Sequence, residues 1–206
     1  MTAWIGVALG FLIGAFPTSY VVVKWRIGKD IRTMGSGNPG ATNVFRCVGK
    51  KEGFVTLFGD MLKGILAVVV ISHYFYDPLI DFKTYQLLLG IAAILGHVFT
   101  PFLGFKGGKG VATGAGVAIA VYPVNFAIAF IVWLLLLFSL RYMAVASIAA
   151  AYCFAVSSYF TRNAPLHVFI GVLAALFITW THRTNLRRLF KGEEPRVLNF
   201  LNRKPD

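Results

Sequence analysis

The chain has 206 residues, 57% of them hydrophobic and 14% charged, with mean hydropathy +0.71 and a formal net charge of +12. A soluble domain carries nearer a quarter charged residues, so this composition excludes an ordinary water-soluble globule and indicates an integral membrane protein. The basic excess flanks apolar stretches, the pattern of topogenic and lipid-facing charge, and this argues against a nucleic-acid partner.

No Asp, Glu, Lys or Arg occurs in residues 1–23, 64–76, 84–105, 110–140, 142–161 or 163–181. Uncharged runs of about 18 or more residues are candidate membrane helices. The expected helices are 4–23, 54–75, 84–103, 108–121, 124–140, 143–160 and 165–181. The first has no basic residue ahead of it and no small-x-small pattern after it, so it reads as a retained helix and not a secretory signal. Within the second, Asp60 and Lys63 are spaced i to i+3 and can pair and so be carried into the membrane, as a structural couple or as part of the site. The run 110–140 would form one helix of about 46 Å, well beyond a hydrocarbon core of about 30 Å. Tyr122-Pro123 interrupts it, because proline breaks a helix interior. The split gives an all-α protein of seven transmembrane helices in one membrane-embedded domain, residues 1–206.

Loop charge tests that count. With the N-terminus outside, seventeen Lys and Arg fall on the inner segments, Arg203 and Lys204 of the tail among them. The outer loops hold only Lys83 and Arg162. A six-helix arrangement would put Arg141 and the basic C-terminus outside, against the positive-inside rule. The C-terminus is therefore expected in the cytoplasm. The fourth helix, 108–121, spans only about 20 Å. The loop before it is predicted to dip below the surface and line a polar pocket at the cytoplasmic face. Cys47 and Cys153 are too far apart in this scheme for a disulfide or a shared metal.

The unusual polar sequence lies in three stretches on the inner side: GSGNPGATNVFR (35–46), GHVFTPFLGFKGGKGVATGAG (96–116) and HRTNLRRLFKGEEP (182–195). Glycine-rich backbone can point N–H groups into one concavity, and a following helix N-terminus adds its positive end; together they bind phosphate. Gly35, Gly107, Gly108 and Gly110 are the candidate glycines, and Lys109 stands between two of them. The second stretch lacks the G-x-x-x-x-G-K-[ST] pattern of a Walker A loop. Two glycine loops sharing a face with Arg46 and Lys109 point to an organic-phosphate site. Other residues read more plainly. Ser147 lies among alanines and suits small-residue packing. His97 caps or packs at a helix end, and His73 and His167 are structural. His182 opens a polar segment, and Asn185 shares its face if the helix continues.

Taken together, GSGNPGATN with Arg46, GHVFTPFLGFKGGKGVAT and HRTNLRRLFKGEEP resemble the bacterial acyl-phosphate:glycerol-3-phosphate acyltransferase family over nearly the whole chain. The resemblance implies transfer of a fatty acyl group from acyl phosphate to the 1-hydroxyl of glycerol 3-phosphate, giving lysophosphatidic acid and phosphate. It implies a seven-helix fold in the bacterial inner membrane with its site at the cytoplasmic face, and no cofactor or metal. Carried over residue by residue, Ser36, Asn38, Thr42 and Arg46 come from the first motif and Lys109 from the second. Ser147 is matched by its place on the sixth helix. His182 and Asn185 come from the third motif, with Glu193 as a structural member. The implied partners are glycerol 3-phosphate, long-chain acyl phosphate, membrane lipids and, transiently, the soluble enzyme that makes acyl phosphate.

The chemistry suits these residue types. Acyl phosphate is a mixed anhydride with a good leaving group, so no acyl-enzyme is needed, and no nucleophile triad stands out. The H-x4-D of thioester-using acyltransferases is missing; His73 and Asp77 make H-x3-D on the expected outer side. Two phosphates repel, and even one unit-charge pair at 4 Å costs about 4 kcal/mol at an effective dielectric of 20. Arg46 can grip one phosphate bidentately, while Lys109 and loop amides hold the other or the developing oxyanion. Ser36, Thr42, Ser147 and Asn185 supply oriented hydrogen bonds. The hydroxyl proton has two candidate acceptors, His182 and the acyl phosphate's own oxygen; the substrate oxygen is favoured, with His182 mainly binding phosphate. A metal-dependent headgroup transferase would want clustered carboxylates, whereas Asp30, Glu52, Asp60, Glu193, Glu194 and Asp206 are scattered. A transporter of organic phosphates would favour matching half-repeats, and none is evident.

Overall fold

The computed structural model describes residues 2–197 and is helical throughout, with two compact units meeting in sequence between Val121 and Tyr122. Arg203, Lys204 and Asp206 lie outside the described residues. The first unit holds α1 (Thr2–Ala15), α2 (Thr18–Ile27), α3 (Ala41–Cys47), α4 (Lys50–Phe75), α5 (Phe82–Val98) and α6 (Val111–Val121). The second holds α7 (Pro123–Leu140), α8 (Met143–Phe160), α9 (Pro165–Thr181) and α10 (Arg183–Phe190).

Five segments are long and apolar enough to cross a membrane: Thr2–Ile27, Lys50–Phe75, Phe82–Leu103, Pro123–Leu140 and Met143–Phe160. The pair α9 and α10 passes the same test together but is bent by 58°. Taken as one span it makes six, and α6 is a shorter apolar helix. The break at Pro123 falls where the sequence places it: α6 ends at Val121 and α7 begins on the proline. Another break does not match the expectation of a single helix over 4–23. Pro17 has no N–H to continue the ladder, so the chain stops at Ala15 and restarts at Thr18. The carbonyls of Ala15 and Phe16 are thereby free to take side-chain partners.

Helix packing in the first unit rests on small residues, as expected where lipid removes the hydrophobic drive between helices. On α1, Gly6, Gly10 and Gly14 stand one turn apart and meet Tyr85, Leu89 and Ala93, similarly spaced on α5. A methyl at Gly14 would run into the Ala93 backbone. Gly64 of α4 and Gly116 of α6 meet reciprocally, one against Thr113 and the other against Met61. Large apolar side chains such as Trp4, Phe58, Leu135 and Phe138 face outward, which is the distribution of a protein whose solvent is a bilayer. The chain is a multi-pass membrane protein.

Candidate active site

In the first unit the first polar stretch forms a loop leading into α3. Gly35 (φ 54°) and Gly37 (φ 71°) take left-handed backbone there, which glycine adopts without a Cβ penalty. The organiser is Asn43, which sequence reading missed. It is buried, accepts from the Ser36 amide through Oδ1 (3.0 Å), and donates from Nδ2 to the Met34 carbonyl (2.9 Å). Ser36 is exposed, and its Oγ lies 3.5 Å from the Asn38 amide. Thr42 and Arg46 lie half-buried on α3, Arg46 in its last turn. The neighbouring Cys47 is also half-buried; burial pushes its thiol pKa up and the Arg46 charge partly opposes that.

At the base of this loop Asp30 caps a short 3₁₀ turn, accepting from the Arg32 amide (2.9 Å) and guanidinium (2.7 Å). Hydrogen bonding from Arg32 holds its carboxyl below the usual 3.8. Arg32 also donates to the Leu103 carbonyl (3.3 Å), tying the first polar stretch to the second.

The second stretch leaves α5 through a 3₁₀ turn at Pro101–Leu103 and reaches α6 through the glycine loop. Lys109 is half-buried just ahead of the α6 N-terminus, and Gly108 and Gly110 are buried on either side. Two of the expected phosphate-binding amides are already committed. Gly107 N–H donates to the Val98 carbonyl (2.9 Å) and Gly108 N–H to the His97 carbonyl (3.2 Å). These glycines serve close approach instead, since a Cβ on either would strike His97. The amides that remain candidates for an anion in this loop are those at its end, at Gly110 and the first turn of α6.

Beneath the loops a small cleft is lined by Thr18, Pro39, Asp60, Lys63, His97, Gly107 and Gly108, among others. It joins both polar stretches to the α1–α2 break. Asp60 and Lys63 do pair (2.9 Å) and are buried, and His97 of α5 approaches the same carboxylate oxygen (Nδ1 at 3.6 Å). Lys63 donates to the freed Phe16 carbonyl (3.0 Å), and Thr100 Oγ1 to that of Ala15 (2.6 Å).

In the second unit Ser147 is buried on α8 and accepts from Trp133 Nε1 of α7 (3.3 Å). Arg141 is the left-handed C-cap of α7 (φ 65°) and not part of α8. His182 stands at the bend between α9 and α10. Its Nδ1 lies 2.8 Å from the Ile178 carbonyl, which can only accept, so that nitrogen carries a proton. Asn185 sits on the first turn of α10, buried, and donates to Glu194 Oε1 (2.6 Å). Arg188 pairs with the other oxygen of Glu194 (2.8 Å). This corrects the expectation for Glu193, which is exposed. Gly192 turns the chain in left-handed backbone (φ 72°), and the buried carboxylate facing α10 is Glu194. His73 is exposed against Tyr74, and His167 bonds to the Tyr122 hydroxyl. Among the described residues no three His, Cys, Asp or Glu side chains gather as metal ligands.

A multi-helix membrane protein with basic glycine loops defines a class; comparison with known proteins narrows it. The sequence profile of the family described as glycerol-3-phosphate acyltransferase matches residues 4–192. The glycerol-3-phosphate acyltransferase of Staphylococcus carnosus is 40% identical over 192 residues, covering 92% of this chain and 95% of that relative. That of Staphylococcus saprophyticus is 44% identical over 193 residues, covering 92% of this chain and 95% of the relative. Among solved structures, PlsY, an integral membrane glycerol 3-phosphate acyltransferase in its glycerol 3-phosphate form, superposes with TM-score 0.89 at 35% identity, covering 98% of this chain and 100% of that one. Its lysophosphatidic acid form gives TM-score 0.84 at 33% identity over the same shares, 98% and 100%. The chain belongs to the PlsY family of glycerol-3-phosphate acyltransferases.

Proposed function

We propose that this protein acylates the 1-hydroxyl of glycerol 3-phosphate with a fatty acyl phosphate, releasing lysophosphatidic acid and inorganic phosphate. What carries the reading is the match over nearly the whole chain to PlsY, solved with glycerol 3-phosphate and with lysophosphatidic acid. The donor is the one that the resemblance of the three motifs implies; the residues are compatible with it, since cationic groups and hydrogen-bond donors suit an anionic mixed anhydride and no activated nucleophile is needed to cleave it.

In this reaction the glycerol oxygen attacks the acyl carbon, the C–O bond to phosphate breaks, and the hydroxyl proton passes to an oxygen of the departing phosphate. Arg46 takes a phosphate through its two-pronged guanidinium. Lys109, Gly110 and the start of α6 stabilise the charge that builds on the carbonyl oxygen. Ser36, Asn38 and Thr42 orient substrate oxygens beside Gly35, and Ser147 and Asn185 are assigned hydrogen bonds to substrate as well. His182, protonated on Nδ1, accepts through Nε2 when neutral and donates to phosphate when charged; we assign it the phosphate.

Three finer points belong to the same reading. The eleven-residue α6, about 16 Å long, counts as a short seventh span. The N-terminus lies outside, the C-terminus and the site lie on the cytoplasmic side of the inner membrane, and the acyl chain stays in the bilayer. The soluble enzyme that makes acyl phosphate is a transient partner. The test is purified protein in detergent with glycerol 3-phosphate and either acyl phosphate or acyl thioesters. Lysophosphatidic acid should form from the phosphate alone, with full rate in excess chelator. Arg46→Ala and Lys109→Ala should each lose about 100-fold in turnover. Thioester turnover would overturn the donor assignment, and near-normal rates in both variants would remove these residues from the site.

A further inference from the structure

The ion cluster under the glycine loop has no part in the reaction just proposed, yet it touches the loop directly. Asp60, Lys63 and His97 are 2%, 5% and 6% exposed on α4 and α5, and an ionic group is expensive at such a place unless it is used. Asp60 pairs with Lys63 (2.9 Å), and the His97 ring packs beside the same carboxylate oxygen (Nδ1 at 3.6 Å). Lys63 is fixed in turn by the Phe16 carbonyl (3.0 Å). The His97 ring then reaches Gly108: a Cβ built there would run into Nε2 and Cε1 of the imidazole. The His97 carbonyl takes the Gly108 amide (3.2 Å). One residue thus sets both the ring surface on which Gly108 rests and the direction of its N–H, and the next residue is Lys109.

We propose that His97, packed beside Asp60, is a positioning residue for Lys109, fixing the peptide from which that side chain projects. This rests on the acyl-transfer reading above. A buried cluster that merely holds α4 and α5 together would affect stability without acting through Lys109, and the two differ in their kinetics.

The experiment compares Gly108→Ala, His97→Ala and the double variant, each purified in detergent and normalised to folded protein by thermal unfolding. Gly108→Ala pushes against the ring and should lower kcat about 10- to 100-fold, with KM for both substrates within about twofold. Removing the ring makes room for the methyl, so the double variant should exceed Gly108→Ala in kcat. A double variant no faster than Gly108→Ala overturns the proposal. The second arm adds His97→Ala to Lys109→Ala. If His97 acts through Lys109, kcat falls no further; a full second loss in folded protein overturns the proposal while leaving acyl transfer intact. A Lys109→Ala protein of near-normal rate would instead refute the role of Lys109 itself.

Discussion

Glu194 offers a sharp test, because its neighbour in sequence is a built-in control. Its carboxylate is buried and receives Asn185 Nδ2 at 2.6 Å and Arg188 Nε at 2.8 Å. A hydrogen bond to a charged group contributes about 1.5–3 kcal/mol. The Arg188 side chain is 33% exposed, so solvent screens part of its share. Glu194→Ala removes both contacts and leaves the Asn185 amide without the acceptor it now has in a closed site. The expected loss is about 2–4 kcal/mol, two such bonds with the Arg188 share reduced by solvent. Glu194→Gln keeps the shape, but its amide can turn its oxygen to only one of the two donors, so about 1.5–3 kcal/mol is expected. Asn185 is assigned a substrate contact, and loosening it should also lower kcat about 10- to 100-fold. Glu193→Ala, at an exposed position, should stay within about 0.5 kcal/mol of the parent. Unfolding in detergent, followed by heat or denaturant, gives the ranking, and the acyl phosphate assay gives the rates. Equal behaviour of the Glu193 and Glu194 variants would refute the assignment of the third motif's structural carboxylate.

Two further outcomes are expected. A single cysteine replacing Lys83 should react with a membrane-impermeant thiol reagent from outside intact cells and one replacing Lys106 should not, in a background without Cys47 and Cys153; the reverse would invert the proposed topology. Asp30→Asn should cost under about 1 kcal/mol at neutral pH, because its ion pair with Arg32 is partly exposed. The sign follows from the lowered carboxyl: the folded state binds this proton more weakly than the unfolded chain. The contribution is therefore whole above the ordinary value of 3.8 and disappears as pH falls through the lowered folded value. Parent and variant should converge in unfolding midpoint on acidification, and a gap that widens instead would contradict the pairing.

How much of this was legible in the sequence depended on which physical signal each feature left there. Absence of charge over some twenty residues is a strong signal, and it marked the long spans. Charge counting alone is blind to backbone chemistry, however. Pro123 was noticed because the uncharged run around it was too long, whereas Pro17 sat in a run of acceptable length and its break went unread. The third motif could be found but not resolved. Two adjacent glutamates are equivalent until Gly192 turns the chain at φ 72° and brings one of them to α10. Asn43 looked like one more polar loop residue, since a hub is defined by partners at Ile31, Met34 and Ser36 that only the folded loop assembles.

The glycine loop is the instructive case, because its backbone bonds differ from the reason the sequence suggested for its glycines. Glycines next to a lysine suggest amides free for an anion, yet Gly107 and Gly108 spend theirs on the carbonyls of Val98 and His97. What the missing side chains permit is the approach of the loop to the His97 ring. An anion-binding loop needs two things: donors aimed outward and a rigid floor that keeps them aimed. A loop that committed every amide to substrate would have nothing holding it in place, and the cost of ordering it would fall on each binding event. Here the first two glycines belong to the floor, and in the proposed function Lys109, Gly110 and the first turn of α6 are the groups assigned to the substrate. That division of labour is why substitutions at Gly108 and at Lys109 should both damage turnover, and why only the damage at Gly108 should be relieved by a change at His97.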